Sequence, residues 1–135
     1  SFMKEVIVLL SAALVVAVNG YIEHHYPPSG IMGTPIVLGI SSLIIVLAAR
    51  KSASVLKSCF ILACAILNDY LIREYSGGIQ DKEGASWIDL YFFYGLIVSL
   101  LILIFGTLTS KDKLINKILA WCLFPLVIFA YWQLR

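Results

Sequence analysis

The chain alternates long apolar runs with short polar segments, and this spacing predicts five membrane-spanning helices. A bilayer core about 30 Å thick requires about 20 residues of α-helix, because each residue rises about 1.5 Å. The predicted spans cover approximately residues 4–23, 31–49, 55–72, 87–108 and 114–134. The pattern therefore indicates an all-α, polytopic integral membrane protein, with five transmembrane helices bundled into a single domain over residues 1–135.

Proline positions and the first residues refine this picture. Pro35 lies near the start of the second span, where its missing N–H costs little. Pro125 lies inside the fifth span, and we expect it to kink that helix or to end its first half. Ser1 and Phe2 precede Met3, which we expect to be the native start.

Composition agrees with a membrane protein and excludes several function classes. The chain is 61% hydrophobic and only 13% charged, far from the usage of soluble domains. Its three cysteines lie inside apolar runs, so they imply no disulfide framework. The net charge of +2 is small and is explained by membrane insertion, so we expect the lipid bilayer as a partner and no nucleic acid.

The distribution of Lys and Arg predicts the orientation, because cytoplasmic loops are enriched in both. With the N-terminus inside, the five spans leave seven of the ten basic residues on the cytoplasmic side. These seven are Lys4, Arg50, Lys51, Lys57, Lys111, Lys113 and Lys117. We therefore predict an N-in, C-out, multi-pass protein of the plasma membrane, of the bacterial inner-membrane type.

Polar side chains gather at the predicted outer ends of three spans. In the stretch NGYIEHHYPP, Asn19 and Glu23 are four residues apart and share one helix face. Ionisable residues inside a membrane are costly, so they usually face the bundle and have partners or a function. We therefore predict an outward-facing polar pocket formed by Asn19, Glu23, Asn68, Asp69, Arg73 and Asp89.

Each part of this pocket also has a structural interpretation. Asp69 can pair with Arg73 at i, i+4 and Asn68 can bond across helices, which would hold the bundle together. The functional alternative is a relay for a cation or proton. Asp89, just after Trp87, could instead be a first-turn acid favoured by the helix dipole.

Two weaker metal sites are suggested by ligand chemistry. Glu23, His24 and His25 offer a carboxylate and two imidazoles, which are zinc-type ligands, so a divalent metal ion is a candidate cofactor. The alternative for the histidines is an interfacial belt together with the neighbouring tyrosines. Asp81 and Glu83, between the third and fourth spans, could supply oxygen ligands to a divalent cation, although no EF-hand pattern is present.

Three function hypotheses remain open from the sequence. In the first, the outward pocket binds or conducts a cation or proton: Asp69 and Glu23 carry charge, His24 or His25 tunes or ligates, and Asn19 and Asn68 orient. A transporter or channel of this size would be a homo-oligomer. In the second, a membrane-embedded enzyme acts on a lipid or polyprenyl headgroup at the outer leaflet. In the third, the chain is a non-catalytic accessory or structural subunit with a membrane-protein partner.

Overall fold

The regular secondary structure is entirely helical in the part of the chain that the structure describes. This structure is a computed structural model, and it describes residues 2–75 and 82–135, with side chains from residue 84 onward in the second range. No strand occurs within those ranges, which confirms the all-α prediction. The helices are α1 (Phe2–His25), α2 (Ser29–Met32), α3 (Thr34–Ala48), α4 (Ser54–Tyr75), α5 (Lys82–Leu108) and α6 (Leu114–Leu134).

Four of these helices are long and apolar enough to cross a membrane. They are α1, α4, α5 and α6, whereas α3 is a shorter apolar helix of 15 residues. Length and composition therefore support a membrane protein with four candidate spanning helices.

The second predicted span is divided into two helices at Gly33. Pro35 has no N–H to donate to the carbonyl of Ile31 one turn earlier, so the hydrogen-bond ladder is interrupted there. The N–H of Gly33 bonds the carbonyl of Ser29 at 2.9 Å, and α3 then begins at Thr34 with Pro35 in its first turn. The prediction recognised the proline but not the break that precedes it.

Other helix boundaries differ from the predicted ones by a few residues. Helix α5 begins at Lys82 rather than near residue 87, and α1 and α4 each extend further than predicted. Helix α6 runs without a break from Leu114 to Leu134 with Pro125 inside it, so Pro125 does not end the helix.

Helix α4 lies at the centre of the bundle. It packs against α1, α3, α5 and α6, while α3 packs mainly between α1 and α5. Glu23, Asp69 and Asp89 mark one end of the bundle, which we call the carboxylate end. The opposite end, which we call the lysine end, carries Lys4, Lys51, Lys111 and the buried Lys57.

Helices α3 and α5 approach each other closely through small residues. A Cβ on Gly106 would overlap Cγ1 of Val46, and a Cβ on Gly95 would lie 2.7 Å from a methyl carbon of Leu38. Near the middle of the same contact, the hydroxyl of Ser42 donates to that of Ser99 at 2.9 Å. Small residues of this kind let helix backbones pack tightly where lipid offers no hydrophobic driving force.

We expect Gly106→Ala to lower the melting temperature of the purified protein in detergent. Alanine favours a helix by about 1 kcal/mol relative to glycine, so a loss would show that the overlap with Val46 outweighs propensity. Gly39→Ala is the matched control, because its Cβ would meet only Cγ1 of Val98 at 3.2 Å. Equal or greater stability of Gly106→Ala would contradict the close approach.

Candidate functional site

The six predicted pocket residues fall into two separate clusters at the carboxylate end. Asn19, Glu23 and Asn68 belong to one, which we call the amide cluster. Asp69, Arg73 and Asp89 belong to the other, which we call the ion-pair cluster. Two neighbouring residues of α4, Asn68 and Asp69, project in different directions, because successive residues of a helix lie about 100° apart.

The amide cluster joins α1, α2, α3 and α4 through side-chain amides. The Nδ2 of Asn19 donates to Oδ1 of Asn68 at 2.9 Å and to the carbonyl of Gly30 at 3.1 Å. The hydroxyl of Thr34 donates to the same carbonyl at 3.1 Å, and the Nδ2 of Asn68 lies 3.4 Å from that hydroxyl. Asn19, Thr34 and Asn68 are all buried, so these groups satisfy one another away from solvent.

Glu23 lies beneath the short helix α2 and is fully buried. Its Oε1 accepts a hydrogen bond from the backbone N–H of Ile31 at 2.9 Å. Gly30 permits this contact, since a Cβ there would overlap Cβ of Glu23 and lie 2.8 Å from the carbonyl oxygen of Asn19. The glycine therefore brings the backbone of α2 close enough for its N–H to reach the carboxyl group.

The ion-pair cluster is centred on the carboxylate of Asp69, whose side chain is 0% exposed. Oδ2 accepts from Nε of Arg73 at 3.1 Å, from Nε of Arg135 at 2.8 Å and from the hydroxyl of Tyr131. Oδ1 accepts from Nη2 of Arg135 at 3.0 Å. The fork of Arg135 thus holds both oxygens of Asp69, which is the strong bidentate arrangement of a guanidinium and a carboxylate.

Arg135 also reaches the third acid of the carboxylate end. Its Nη2 lies 2.6 Å from Oδ1 of Asp89, and its guanidinium lies 4.4 Å from the ring centroid of Trp132. Burial opposes the charge of Arg135, but the hydrogen bonds to Asp69 and Asp89 outweigh it and raise its pKa above the usual range. Arg135 therefore stays a cation that neutralises part of the charge of two acids.

The structure corrects the interpretation of Asp89 as a first-turn acid. Because α5 begins at Lys82, Asp89 lies about two turns into the helix, beyond the reach of the helix N-terminus. Its partner is Arg135, which directly follows α6, and the side chain of Asp89 remains 41% exposed. Asp89 is thus the most accessible of the three residues of the ion-pair cluster, ahead of Arg73 and Asp69.

The structure does not bring Glu23, His24 and His25 to one point. Glu23 is buried, whereas both histidines are exposed. Nδ1 of His24 lies 3.1 Å from the carbonyl oxygen of Tyr75, and the ring of His25 packs on Tyr21 with centroids 4.4 Å apart. Across the described ranges, no three His, Cys, Asp or Glu side chains are grouped so as to hold a metal ion.

The predicted divalent-cation ligands Asp81 and Glu83 lie at the edge of the described residues. Asp81 lies outside the described residues. Glu83 belongs to the first turn of α5, but its side chain is outside the description.

Five participants in the two clusters were not predicted from the sequence: Gly30, Ile31, Thr34, Tyr131 and Arg135. Arg135 directly follows α6 and lies four residues beyond Tyr131, a spacing that could have marked the two as neighbours facing the acids. Thr34 and Gly30 carry no comparable signal, because their role depends on the break between α2 and α3.

The lysine end contains a different arrangement, in which Asp112 joins two connections. Its Oδ2 accepts from the backbone N–H of Ser54, and its Oδ1 accepts from the N–H of Lys113 and from Nδ2 of Asn116, each at 2.9 Å. The hydrogen bond from Asn116, followed by that from Ser54, holds the pKa of Asp112 well below its usual range. Asp112 thus caps the start of α4 from the connection before α6.

No family model, curated protein or solved structure matches this chain. The site therefore has to be interpreted from its own geometry.

Proposed function

We propose that this chain is a five-crossing plasma-membrane protein of the accessory or structural class. In this proposal, the two polar clusters hold the helices in register and neither turns over a substrate. The observation that carries it is the carboxylate of Asp69, which is buried and accepts hydrogen bonds from Arg73, Tyr131 and Arg135 of the same chain. The side chains of Asn19 and Asn68 are likewise joined by a hydrogen bond, which is typical of contacts that hold transmembrane helices together.

The path of the chain supports a fifth crossing through α2 and α3 together. Gly30 contacts Glu23 at the carboxylate end, and the carbonyl of Arg50 accepts from Nζ of Lys57 at the lysine end. The intervening segment of about 20 residues has the length of a bilayer core. With the lysine end in the cytoplasm, as the positive-inside rule requires, the N-terminus is inside and the C-terminus outside.

Thiol labelling tests this topology. We expect a membrane-impermeant maleimide to label a cysteine placed at residue 25 in intact cells, and to label cysteines at 51 and 111 only after permeabilisation. The variants are His25→Cys, Lys51→Cys and Lys111→Cys, each in a background with Cys59, Cys64 and Cys122 changed to Ser. Equal labelling at 25 and 51 in intact cells would contradict a crossing by α2 and α3. Labelling at 51 and 111 but not at 25 in intact cells would show that the protein has the opposite orientation.

The structural role predicts that Asp69→Asn destabilises the protein strongly. Removing the carboxylate leaves Arg73 without its counter-charge and Arg135 with Asp89 alone, which costs about 2 kcal/mol or more. Tyr131→Phe removes the hydroxyl that donates to Asp69 and accepts from Nη2 of Arg73, and the loss of these two hydrogen bonds should cost about 1–2 kcal/mol. Reversible unfolding in mixed micelles measures both.

Glu74→Gln is the control for this experiment. It removes an acid from the same helix at an exposed position, so we expect little change in the free energy of unfolding. If Asp69→Asn were as stable as Glu74→Gln, the ion-pair cluster would not hold α4 and α6 together and the proposal would fail.

A proton-binding role for Glu23 is the second candidate function. It is favoured by one observation: Glu23 is fully buried one helical turn from Asn19 in a bundle of apolar helices, and ionisable residues buried in membrane bundles often mark proton pathways. Homo-oligomerisation and the cation or metal ligands proposed from the sequence belong to this candidate. The outer-leaflet enzyme stays a prediction from the sequence.

Glu23→Gln separates the second candidate from the first. Glutamine keeps the Oε1 acceptor for the N–H of Ile31, so both candidates predict a folded protein. Proton binding at Glu23 predicts that the infrared difference spectrum between low and high pH contains the band of a buried carboxyl group. This band should be present in the wild type and in Glu74→Gln, which loses only the band of a solvent-exposed carboxyl group, and it should be missing in Glu23→Gln. A buried-carboxyl band that persists in Glu23→Gln, or that is missing from the wild type, would exclude Glu23 as the proton site.

A further inference from the structure

Two adjoining cavities lie at the lysine end, away from both polar clusters. The first, of about 1160 Å³, lies among the start of α1, the connection from α3 to α4 and the connection from α5 to α6. The second, of about 390 Å³, follows the surfaces of α3 and α5 toward the middle of the bundle. Leu47, Arg50, Gly106 and Thr109 line both cavities, so the two adjoin along a shared wall.

The two parts of this space differ in chemistry. The first cavity is lined by the cationic residues Arg50, Lys51 and Lys111 together with the hydroxyl residues Ser52 and Ser110. The second is lined mainly by aliphatic and aromatic residues, which include Leu43, Leu101 and Phe105. A polar, basic chamber that continues into an apolar groove has the shape and polarity of an amphiphile.

The charge of the first cavity favours an anion. It is lined by four basic residues, Lys4, Arg50, Lys51 and Lys111, and by two acids, Glu5 and Asp112. Asp112 already accepts hydrogen bonds from Ser54, Lys113 and Asn116, so its oxygens are engaged within the protein. The side chains of Arg50, Lys51 and Lys111 are exposed and can reach a ligand from the solvent side.

Gly106 forms part of the wall shared by the two cavities. A side chain there would overlap Val46, so the glycine allows α5 to lie against α3 at this level. Thr109 lies one turn further along the chain, where α5 has ended, and Arg50 follows the end of α3. The basic chamber therefore lies where both helices emerge from the apolar part of the bundle.

We infer that this composite space binds one anionic glycerophospholipid, with its phosphate among Arg50, Lys51 and Lys111 and an acyl chain along Leu43, Leu101 and Phe105. Guanidinium and ammonium groups recognise phosphate oxygens through charge-assisted hydrogen bonds, and basic sites at the cytoplasmic ends of transmembrane helices suit anionic headgroups. Free phosphate shares the headgroup chemistry, but the adjoining apolar groove favours the lipid. The inference goes beyond the structural role proposed above and does not depend on either polar cluster.

Thermal unfolding of the full chain in a neutral detergent tests the ligand class. We expect phosphatidylglycerol to raise the melting temperature by about 5 °C near saturation, because a ligand that binds only the folded state stabilises it. Phosphatidylcholine with the same acyl chains, and inorganic phosphate, should each change it by about 1 °C or less. If phosphatidylcholine raised the melting temperature equally, lipid contact would be non-selective and the proposal would fail. If inorganic phosphate alone raised it equally, the cavity would be a simple anion site and the proposal would likewise fail.

Charge variants test the position of the headgroup. We expect Arg50→Gln/Lys51→Gln to weaken phosphatidylglycerol binding at least about tenfold in native mass spectrometry, which counts lipids on folded protein only. The backbone carbonyl that Lys57 contacts is that of Arg50 and is unchanged by the substitution. Lys113→Gln is the control, because Lys113 is exposed at the same end and does not line the cavity. Unchanged affinity in the double variant, or an equal loss in Lys113→Gln, would overturn the assignment.

A second pair of variants tests the acyl-chain groove. Phe105 lines the groove and is 67% exposed, and Phe129 of α6 is also 67% exposed but lies away from it. We expect Phe105→Ala to weaken phosphatidylglycerol binding several-fold and Phe129→Ala to leave it unchanged. If both alanine variants bound phosphatidylglycerol with the same affinity, the groove would not hold an acyl chain and the lipid proposal would fail.

Discussion

Hydrocarbon offers no hydrogen-bond partner, so each polar group inside a membrane bundle has to find one within the protein. Helix α4 meets this constraint on two faces through two successive residues. Asn68 bonds Asn19 of α1, and Asp69 bonds Tyr131 and Arg135 at the end of α6. One turn of α4 therefore fixes the position of helices on either side of it.

The two ends of the bundle use charge in different ways. At the carboxylate end, the acids at 69 and 89 are paired with arginines of the same chain, and their charge is largely compensated. At the lysine end, Arg50, Lys51 and Lys111 remain exposed around a cavity. In the described part of the chain, exposed basic side chains therefore gather at the lysine end, where water and lipid headgroups can reach them.

The sequence was sufficient to predict the helices but not their partners. Helical length and apolar composition predicted the main elements, since both are local properties. The i, i+4 pair of Asp69 and Arg73 was also predictable and is present at 3.1 Å. The break at Gly33 was not predicted, although Pro35 interrupts the hydrogen-bond ladder there. The contact between Gly30 and Glu23 was not predicted either, because it depends on how α2 folds back over α1.

The sequence predicted a single polar pocket, whereas the structure contains two separate clusters, and the reason is geometric. Sequence position placed Asn68 and Asp69 at the same depth, but it did not say which neighbour each one faces. Arg135 belongs to the second cluster because it pairs with Asp69. The two residues are 66 positions apart in the chain, so no local sequence pattern predicts this pair. Long-range pairs of this kind are determined by helix packing, which spacing along the chain does not encode.

The same separation has a consequence for biosynthesis. At about 5–20 residues per second, Arg135 is synthesised roughly 3–13 s after Asp69. If α4 inserts into the membrane during that interval, Asp69 enters before its partner Arg135 has been synthesised. Arg73, one turn away on the same helix, is the cation that can accompany Asp69 from the start. Its contact with Asp69 thus supplies a counter-charge in the nascent chain before Arg135, which follows α6, has been synthesised.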